Sequence, residues 1–134
     1  MTEDLTPTPL TGILESVLYC TPETEAATRH FYAEVLGLRQ VSQWTYRLGD
    51  QLFLLFNAQE TRVQEWPPPH GAAGSGHICF TVPPEGYAEW KDHLAANGTE
   101  VIEEIDWSRG VLSFYFKDPA GNMLEIANGD MWPR

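Results

Sequence analysis

Three side chains in the sequence carry the donor atoms that bind divalent metal ions. Glu15 lies in the apolar run ILESVLYC, His77 begins the run HICFTV, and Glu125 lies in MLEIA. Imidazole nitrogen and carboxylate oxygen together suit a divalent ion that keeps open positions for a substrate. Glu15 in particular needs an explanation, because an acid in an apolar strand costs stability if it is buried without a partner.

Strand alternation predicts that His77 and Glu125 share one face of a sheet. Successive side chains of a strand point to opposite faces. Ile78 and Leu124 would pack against a helix, so His77 and Glu125 would face the other way. Glu15 would join them in a sheet-lined cavity if the two halves of the chain pair about a pseudo-twofold axis. Without a metal ion, the two carboxylates would repel each other and would share a proton or hold a cationic group.

The two halves of the chain repeat one order of elements, a strand, a helix and then several strands. Glu15 and His77 stand at nearly the same distance before Gly37 and Gly98, the glycines that end the two helices. An internal repeat of this kind changes the predicted architecture. It predicts an α+β fold of two βαβββ modules that form a cupped mixed sheet with the helices on its outer face.

The predicted organisation is a single domain between two tails. The boundaries are a flexible N-terminal tail at 1–11, module one at 12–57, a connector at 58–75, module two at 76–128 and a C-terminal tail at 129–134. In the first helix, Ala27, Phe31 and Val35 recur every four residues and predict the buried face. His30 and His93 lie off the apolar stripes, so both are predicted to be solvated.

Composition and charge exclude several classes of function. The 134-residue chain is 43% hydrophobic, and its net charge of −11 argues against nucleic acid and anionic membranes as partners. No apolar run reaches the roughly 18 residues of a membrane span. The acidic, Pro/Thr-rich N-terminus lacks the features of a signal peptide, so the expected location is the cytoplasm. Cys20 and Cys79 are predicted to be reduced and structural.

Three longer segments carry a resemblance to a known family. They are FYAEVLGL at 31–38, GHICFTV at 76–82 and FYFKDPAGNMLEI at 114–126. Through them, and through the strand at 13–19, the chain resembles the vicinal oxygen chelate superfamily of glyoxalase, fosfomycin-resistance, bleomycin-resistance and extradiol dioxygenase proteins. The resemblance implies two βαβββ modules around a cavity that takes a small-molecule ligand, usually within a homodimer.

The resemblance also implies a ligand set. The superfamily's first-strand ligand, commonly His, falls on Glu15, and the other two ligands fall on His77 and Glu125. A further ligand of glyoxalase I falls near Leu55, which cannot coordinate a metal and would instead line the substrate site. Leu55 therefore counts against glyoxalase I activity. Glu15 counts against extradiol cleavage, because it breaks the two-His-one-carboxylate triad of the iron dioxygenases.

The predicted cofactor is one divalent metal ion. Two carboxylates and one imidazole would roughly neutralise its charge. The oxygen donors favour Mn²⁺ or Mg²⁺, while Zn²⁺, Fe²⁺ and Ni²⁺ also accept such ligands. The superfamily's isomerases suggest that Glu15 or Glu125 leaves the metal to act as a base.

Five further side chains are candidates for substrate binding. Ser113 and Tyr115 alternate with two phenylalanines and would point into the cavity, and Arg47 and Arg109 would bind an anionic group. His70 follows three prolines and would fold over the cavity mouth. For each arginine, and for His70, the alternative is a solvated surface position.

Two functions from different classes follow from these residues. The first is a metal-dependent enzyme of lyase, isomerase, transferase or dioxygenase type that acts on a small, oxygen-rich substrate. The alternative is a metal-free protein that binds a drug or another small molecule, as in the bleomycin-resistance branch. In a third case the cavity is vestigial and binds nothing.

Overall fold

The computed structural model describes residues 7–134, so much of the tail predicted at 1–11 lies outside the described residues. Residues 7–14 are exposed and form no helix or strand. None of the helices within 7–134 is long and apolar enough to cross a membrane.

Module one forms a four-stranded mixed sheet, which we call sheet one. Its strands are β1 (Glu15–Cys20), β2 (Arg39–Gln40), β3 (Thr45–Leu48) and β4 (Gln51–Asn57). Their order is β1-β4-β3-β2, with β1 parallel to β4 and the other pairs antiparallel. Helix α1 (Glu25–His30) continues into a π-helical turn at Phe31–Val35, and a short helix α2 (Ala58–Thr61) follows β4.

Module two repeats this arrangement as sheet two. Its strands are β5 (His77–Thr81), β6 (Glu103–Asp106), β7 (Leu112–Lys117) and β8 (Met123–Ala127), and the helix α3 spans Tyr87–Ala96. The order β5-β8-β7-β6, with β5 parallel to β8, matches sheet one strand for strand. The predicted α+β class with two βαβββ modules is therefore confirmed.

The two modules share one hydrophobic core between the sheets and the helices. Phe31 from the π-helical turn packs against Phe116 of β7, with ring centroids 6.3 Å apart. The predicted stripe on the first helix was wrong at one position, because Ala27 is exposed and Thr28 is fully buried instead. The Thr28 hydroxyl donates a hydrogen bond to the carbonyl of Thr24 (2.7 Å), which satisfies it in the core.

A buried polar network at the β7–β8 turn joins the modules. The Tyr32 hydroxyl donates to Asp118 Oδ2 (2.6 Å), and the Asn122 side chain donates to the same oxygen (2.9 Å). Asn122 also donates to the carbonyl of Tyr19 (3.0 Å) and accepts from the backbone N–H of Gly76 (2.9 Å). One asparagine thus links the end of β1 with the residue that precedes β5.

The strands β1 and β5 are the edges of their sheets. They approach each other at Gly76, where an added Cβ would lie 2.5 Å from a methyl carbon of Leu18. Ile78 and Phe80 of β5 face the helices and yet remain only half-buried. This apolar edge is therefore incompletely covered within one chain.

Candidate functional site

Each sheet has one face against the helices and one face away from them, which we call its open face. In sheet two, the register pairs Cys79 with Glu125 and Glu125 with Tyr115, so these three side chains share the open face with His77. In sheet one, the register pairs Glu15 with Leu52 and Leu52 with Arg47. Glu15 and Arg47 thus lie on the open face of sheet one.

His77 and Glu125 form a pair at the start of β5. His77 Nε2 lies 3.3 Å from Glu125 Oε1, and His77 Nδ1 lies 2.8 Å from the backbone carbonyl of Met123. The imidazole is half-exposed, whereas the carboxylate is buried. The second carboxylate oxygen, Oε2, is also buried and makes no geometrically defined hydrogen bond among residues 7–134. The thiol of Cys79 and the phenol of Tyr115 are the donors beside this carboxylate.

The contact between His77 Nε2 and Glu125 Oε1 requires a proton or a metal ion between the two atoms. The Met123 carbonyl can only accept a hydrogen bond, so Nδ1 of His77 carries a hydrogen. A neutral ring then directs the Nε2 lone pair at a carboxylate oxygen, and two acceptors face each other. Either a proton on Nε2 or a metal ion satisfies them. A metal-binding histidine commonly donates its other N–H to a backbone carbonyl, so this pair could supply two of the ligands of a divalent ion.

The negative charge of Glu125 affects the pKa values of two side chains beside the His77–Glu125 pair. The Tyr115 ring stacks on the imidazole of His77, with centroids 6.1 Å apart and planes 24° apart. Burial, followed by the charge of Glu125, raises the pKa of the Tyr115 phenol. The same two causes raise the pKa of Cys79 to about 12, so without a bound cation its sulfur is a neutral thiol.

Ser113 lies on the same open face but is covered. Its side chain is fully buried, and its hydroxyl accepts a hydrogen bond from the indole N–H of Trp107 (2.8 Å). The indole of Trp107 therefore covers Ser113, and a ligand on this face would contact Trp107 rather than Ser113.

Glu15 is not brought to the pair within one chain. It is exposed at the start of β1, and no group of three His, Cys, Asp or Glu side chains in the described part of the chain could hold a metal ion. A cavity of about 570 Å³ opens between the edges of the two sheets, where Ser16, Leu52, Ile78 and Cys79 contribute to its lining. Neither Glu15 nor Glu125 lines it.

The remaining predicted residues fall in three environments. Leu55 is fully buried in the core, away from the open face, although it was predicted to line a substrate site. The physical reason is alternation, which turns Leu54 and Phe56 to the open face and Leu55 to the helices. Arg47 is half-buried, and Arg109 is exposed in a turn with φ +57°.

His70 folds onto the open face of sheet one. Its Nδ1 lies 2.6 Å from the hydroxyl of Tyr19, and its ring packs edge-on against Phe56 with centroids 5.3 Å apart. Tyr19 was missing from the residues predicted from sequence. The sequence does place Tyr19 on this face, because it lies four positions after Glu15 in one strand and side chains at even spacings share a face.

The family of the chain follows from comparison of its sequence with known proteins. The profile of the Glyoxalase/Bleomycin resistance protein/Dioxygenase superfamily matches residues 14–126. The chain belongs to this superfamily. The match begins just before β1 and ends within β8, so it includes both modules and the His77–Glu125 pair.

Individual known proteins are similar to the chain over most of its length. Glutathione transferase FosA from Serratia marcescens is 30% identical over 107 residues, which cover 78% of this chain and 72% of that protein. The crystal structure of lactoylglutathione lyase from Agrobacterium tumefaciens is 33% identical, with a TM-score of 0.83, and covers 92% of this chain and 98% of that one. A virulence protein from Salmonella typhimurium is 25% identical, with a TM-score of 0.66 and coverage of 90% and 98%.

Proposed function

We propose that the protein is a metal-dependent enzyme that acts on a small, oxygen-rich substrate. The observation that supports this most is the His77–Glu125 pair. Nε2 faces a carboxylate oxygen at 3.3 Å while Nδ1 is committed to a backbone carbonyl, and the buried Oε2 makes no geometrically defined hydrogen bond among residues 7–134. A divalent ion held by Nε2 and the carboxylate would satisfy all of these atoms.

The ion, when bound, would act as a Lewis acid that stabilises negative charge on a substrate oxygen. The protein side chains would do the rest. His77 and Glu125 fix the position of the substrate head, and Tyr115, whose phenol stays protonated because its pKa is raised, offers a hydrogen bond to it. Glu15 or Glu125, when not holding the ion, would present a free carboxylate able to accept a proton from the substrate.

The third ligand would come from a second copy of the chain. Glu15 is exposed on an edge strand and is not grouped with His77 and Glu125 in its own chain. The other edge strand, β5, leaves Ile78 and Phe80 half-exposed. A homodimer that sets β1 of one copy beside β5 of the other would cover this apolar edge and deliver Glu15 to the pair. Buried apolar surface would drive its formation.

Arg47 and the names of two similar enzymes suggest the class of substrate. Arg47 on the open face of sheet one offers a guanidinium to an anionic group. The names of both enzymes cited above refer to glutathione. Glutathione and lactoylglutathione are therefore the first ligands to assay, in chelator-treated protein before and after addition of Mn²⁺ or Zn²⁺.

Calorimetric titration with Mn²⁺ and with Zn²⁺ tests the metal site without knowledge of the substrate. We expect chelator-treated protein to bind about one ion per chain, and Glu125→Gln to weaken the affinity at least tenfold through loss of a charged ligand. Glu100→Gln is the matched control, since Glu100 is exposed before β6. Equal affinities in Glu125→Gln and Glu100→Gln would contradict the proposal.

The second candidate is a metal-free binding protein. It is favoured by one observation, namely that a single chain groups two of the three predicted ligands. In that case the imidazolium of His77 would simply pair with Glu125. Thermal unfolding in the presence of cationic glycopeptides or of divalent ions separates the two functions, because only a ligand that binds the folded state raises the Tm. A rise with glycopeptide and none with metal would favour this candidate.

A further inference from the structure

The open face of sheet one changes in character along its length. At one end it carries Glu15 beside Leu52, in the middle Val17 beside Leu54, and at the other end Tyr19 beside Phe56. Glu15 and Tyr19 lie four steps apart along the strand, a distance of about 13 Å. The face thus runs from a carboxylate, across an aliphatic middle, to aromatic rings.

The rings at the far end form a continuous cluster, which we call the aromatic end (Tyr19, Trp44, Phe56 and His70). The ring centroids of Trp44 and Phe56 lie 6.4 Å apart, those of Phe56 and His70 5.3 Å, and those of Tyr19 and His70 5.8 Å. Trp44 and His70 are exposed, and Tyr19 and Phe56 are half-buried. The cluster therefore offers apolar ring surface to a ligand.

Both the backbone and the side chain of His70 make hydrogen bonds that hold it in this cluster. Its backbone N–H donates to the carbonyl of Thr61 in α2 (3.0 Å), which anchors the proline-rich segment to module one. Its Nδ1 meets the hydroxyl of Tyr19 at 2.6 Å. Burial raises the pKa of Tyr19, so the phenol keeps its hydrogen at neutral pH and can donate it to Nδ1. In the tautomer in which this hydroxyl donates to Nδ1, the N–H of a neutral imidazole is on Nε2.

We propose that the aromatic end binds the distal part of an elongated substrate and that His70 donates a hydrogen bond from Nε2 to an acceptor there. This inference rests on the proposed function, because the oxygen-rich head of the substrate would lie at the metal site to which Glu15 contributes. The substrate class is a molecule with a chelating head, an aliphatic middle and a ring or acceptor about 10–13 Å away. His70 is a specificity-determining residue, and Tyr19 is a positioning residue that fixes its tautomer.

Three hydroxamic acids test this in the metal-loaded protein, since the hydroxamate group chelates a metal through two oxygens. Acetohydroxamic acid supplies the head alone. A second probe adds a five-carbon chain that ends in a phenyl ring, and a third carries a pyridyl ring in its place. We expect the phenyl probe to bind about tenfold or more tightly than acetohydroxamic acid through burial of apolar surface. The pyridyl probe should gain about a further fivefold from the hydrogen bond.

Variants assign these gains to residues. His70→Phe should abolish the preference for pyridyl over phenyl and keep the gain of the phenyl probe, and Tyr19→Phe should reduce that preference. His30→Phe on the exposed side of α1 is the matched control and should change neither. Affinity for Mn²⁺ alone should be the same in all variants, because the aromatic end lies far from the ligands.

The outcomes separate this inference from the proposed function. If acetohydroxamic acid binds and the longer probes bind no more tightly, the aromatic end is not a substrate site and the metal site stands. If His70→Phe retains the pyridyl preference, His70 is not the donor. If neither Mn²⁺ nor any hydroxamate binds, the metal site itself is refuted, and the inference falls with it.

Discussion

His77 and Glu125 are diagonal neighbours on the parallel strands β5 and β8, with Nε2 of the first 3.3 Å from Oε1 of the second. The register causes this, because it pairs His77 with Met123 and Cys79 with Glu125 on the same face. The Met123 carbonyl then fixes the imidazole by accepting from Nδ1. The backbone thereby holds the imidazole beside the carboxylate.

Mixing two variants that each lack one proposed metal ligand tests whether the metal site is shared between chains. Glu15→Ala and His77→Ala should each bind metal poorly. A heterodimer would contain one site that lacks both residues and one that keeps both, so refolding the mixture should restore tight metal binding to about half of the heterodimer sites. Equilibrium dialysis with Mn²⁺ measures this. No recovery in confirmed heterodimers would contradict a site built from two chains.

The network around Asn122 should contribute more stability than its single bonds suggest. Asn122→Ala removes the bonds to Asp118, to the Tyr19 carbonyl and to the Gly76 N–H, and leaves buried groups unpaired. We expect a loss of about 2–4 kcal/mol in the free energy of unfolding, measured in urea. Tyr32→Phe should cost about 1–3 kcal/mol, since it removes one bond to a carboxylate.

Asn97→Ala is the control for that series. Its side chain donates to the carbonyl of His93 at the exposed end of α3, so its loss should cost at most about 1 kcal/mol. Comparable losses in Asn97→Ala and Asn122→Ala would mean that the network does not join the modules energetically.

Leu55→Ala should destabilise the protein without affecting ligand binding. Leu55 is fully buried in the core, and its truncation should cost about 2–5 kcal/mol. Leu10→Ala, at a side chain that is 98% exposed, should change the free energy of unfolding by less than about 0.5 kcal/mol. Affinity of the folded, metal-loaded variant for acetohydroxamic acid should match that of the wild type. A specific loss of this affinity would return Leu55 to the substrate site.

Glu104 should make stability depend on pH in the acid range. Hydrogen bonds, first from Lys91 (2.8 Å) and then from Tyr87 (2.7 Å), lower the pKa of Glu104 below its ordinary value of 4.5. The folded state therefore gains stability above the pKa of the unfolded chain and loses it as the pH falls through the lower, folded-state pKa. The effect is small, because the pair is largely exposed.

The measurement is the urea midpoint between about pH 6 and about pH 3. Glu104→Gln should lower the midpoint at the upper end of this range and flatten its decline toward the lower end. Glu100→Gln, on an exposed residue of the same segment, should leave the slope as in the wild type. Parallel curves for wild type and Glu104→Gln would refute the assignment.

Local periodicity predicted much of the fold and the shared face of His77 and Glu125. Alternation along β5 and β8 turns His77 and Glu125 to one face, and the repeat of elements predicted two modules. The predicted apolar stripe on the first helix was wrong at Ala27, because Thr28 lies in the core instead. The Thr28 hydroxyl is satisfied by a hydrogen bond within the helix. The prediction for Leu55 came from a family pattern, whereas strand alternation assigns this side chain to the core, where the structure places it.

The remaining features depend on contacts that no short pattern encodes. In the proposed homodimer, the environment of Glu15 would depend on which strand edges of the two copies meet, and strand alternation does not predict assembly. The contact between His70 and Tyr19 requires the proline-rich segment to return to the sheet, where α2 and Phe56 fix the ring. Such loop closures follow from tertiary packing.

The most direct test of the metal site is an anomalous difference map from crystals of the full chain grown with Mn²⁺. The account predicts a peak within about 2.0–2.3 Å of His77 Nε2 and of the Glu125 carboxylate, with Glu15 of a second copy completing the ligands. The peak should be absent in His77→Ala and present in the control His93→Ala. A wild-type map at saturating Mn²⁺ with no peak between His77 and Glu125 would contradict the central claim.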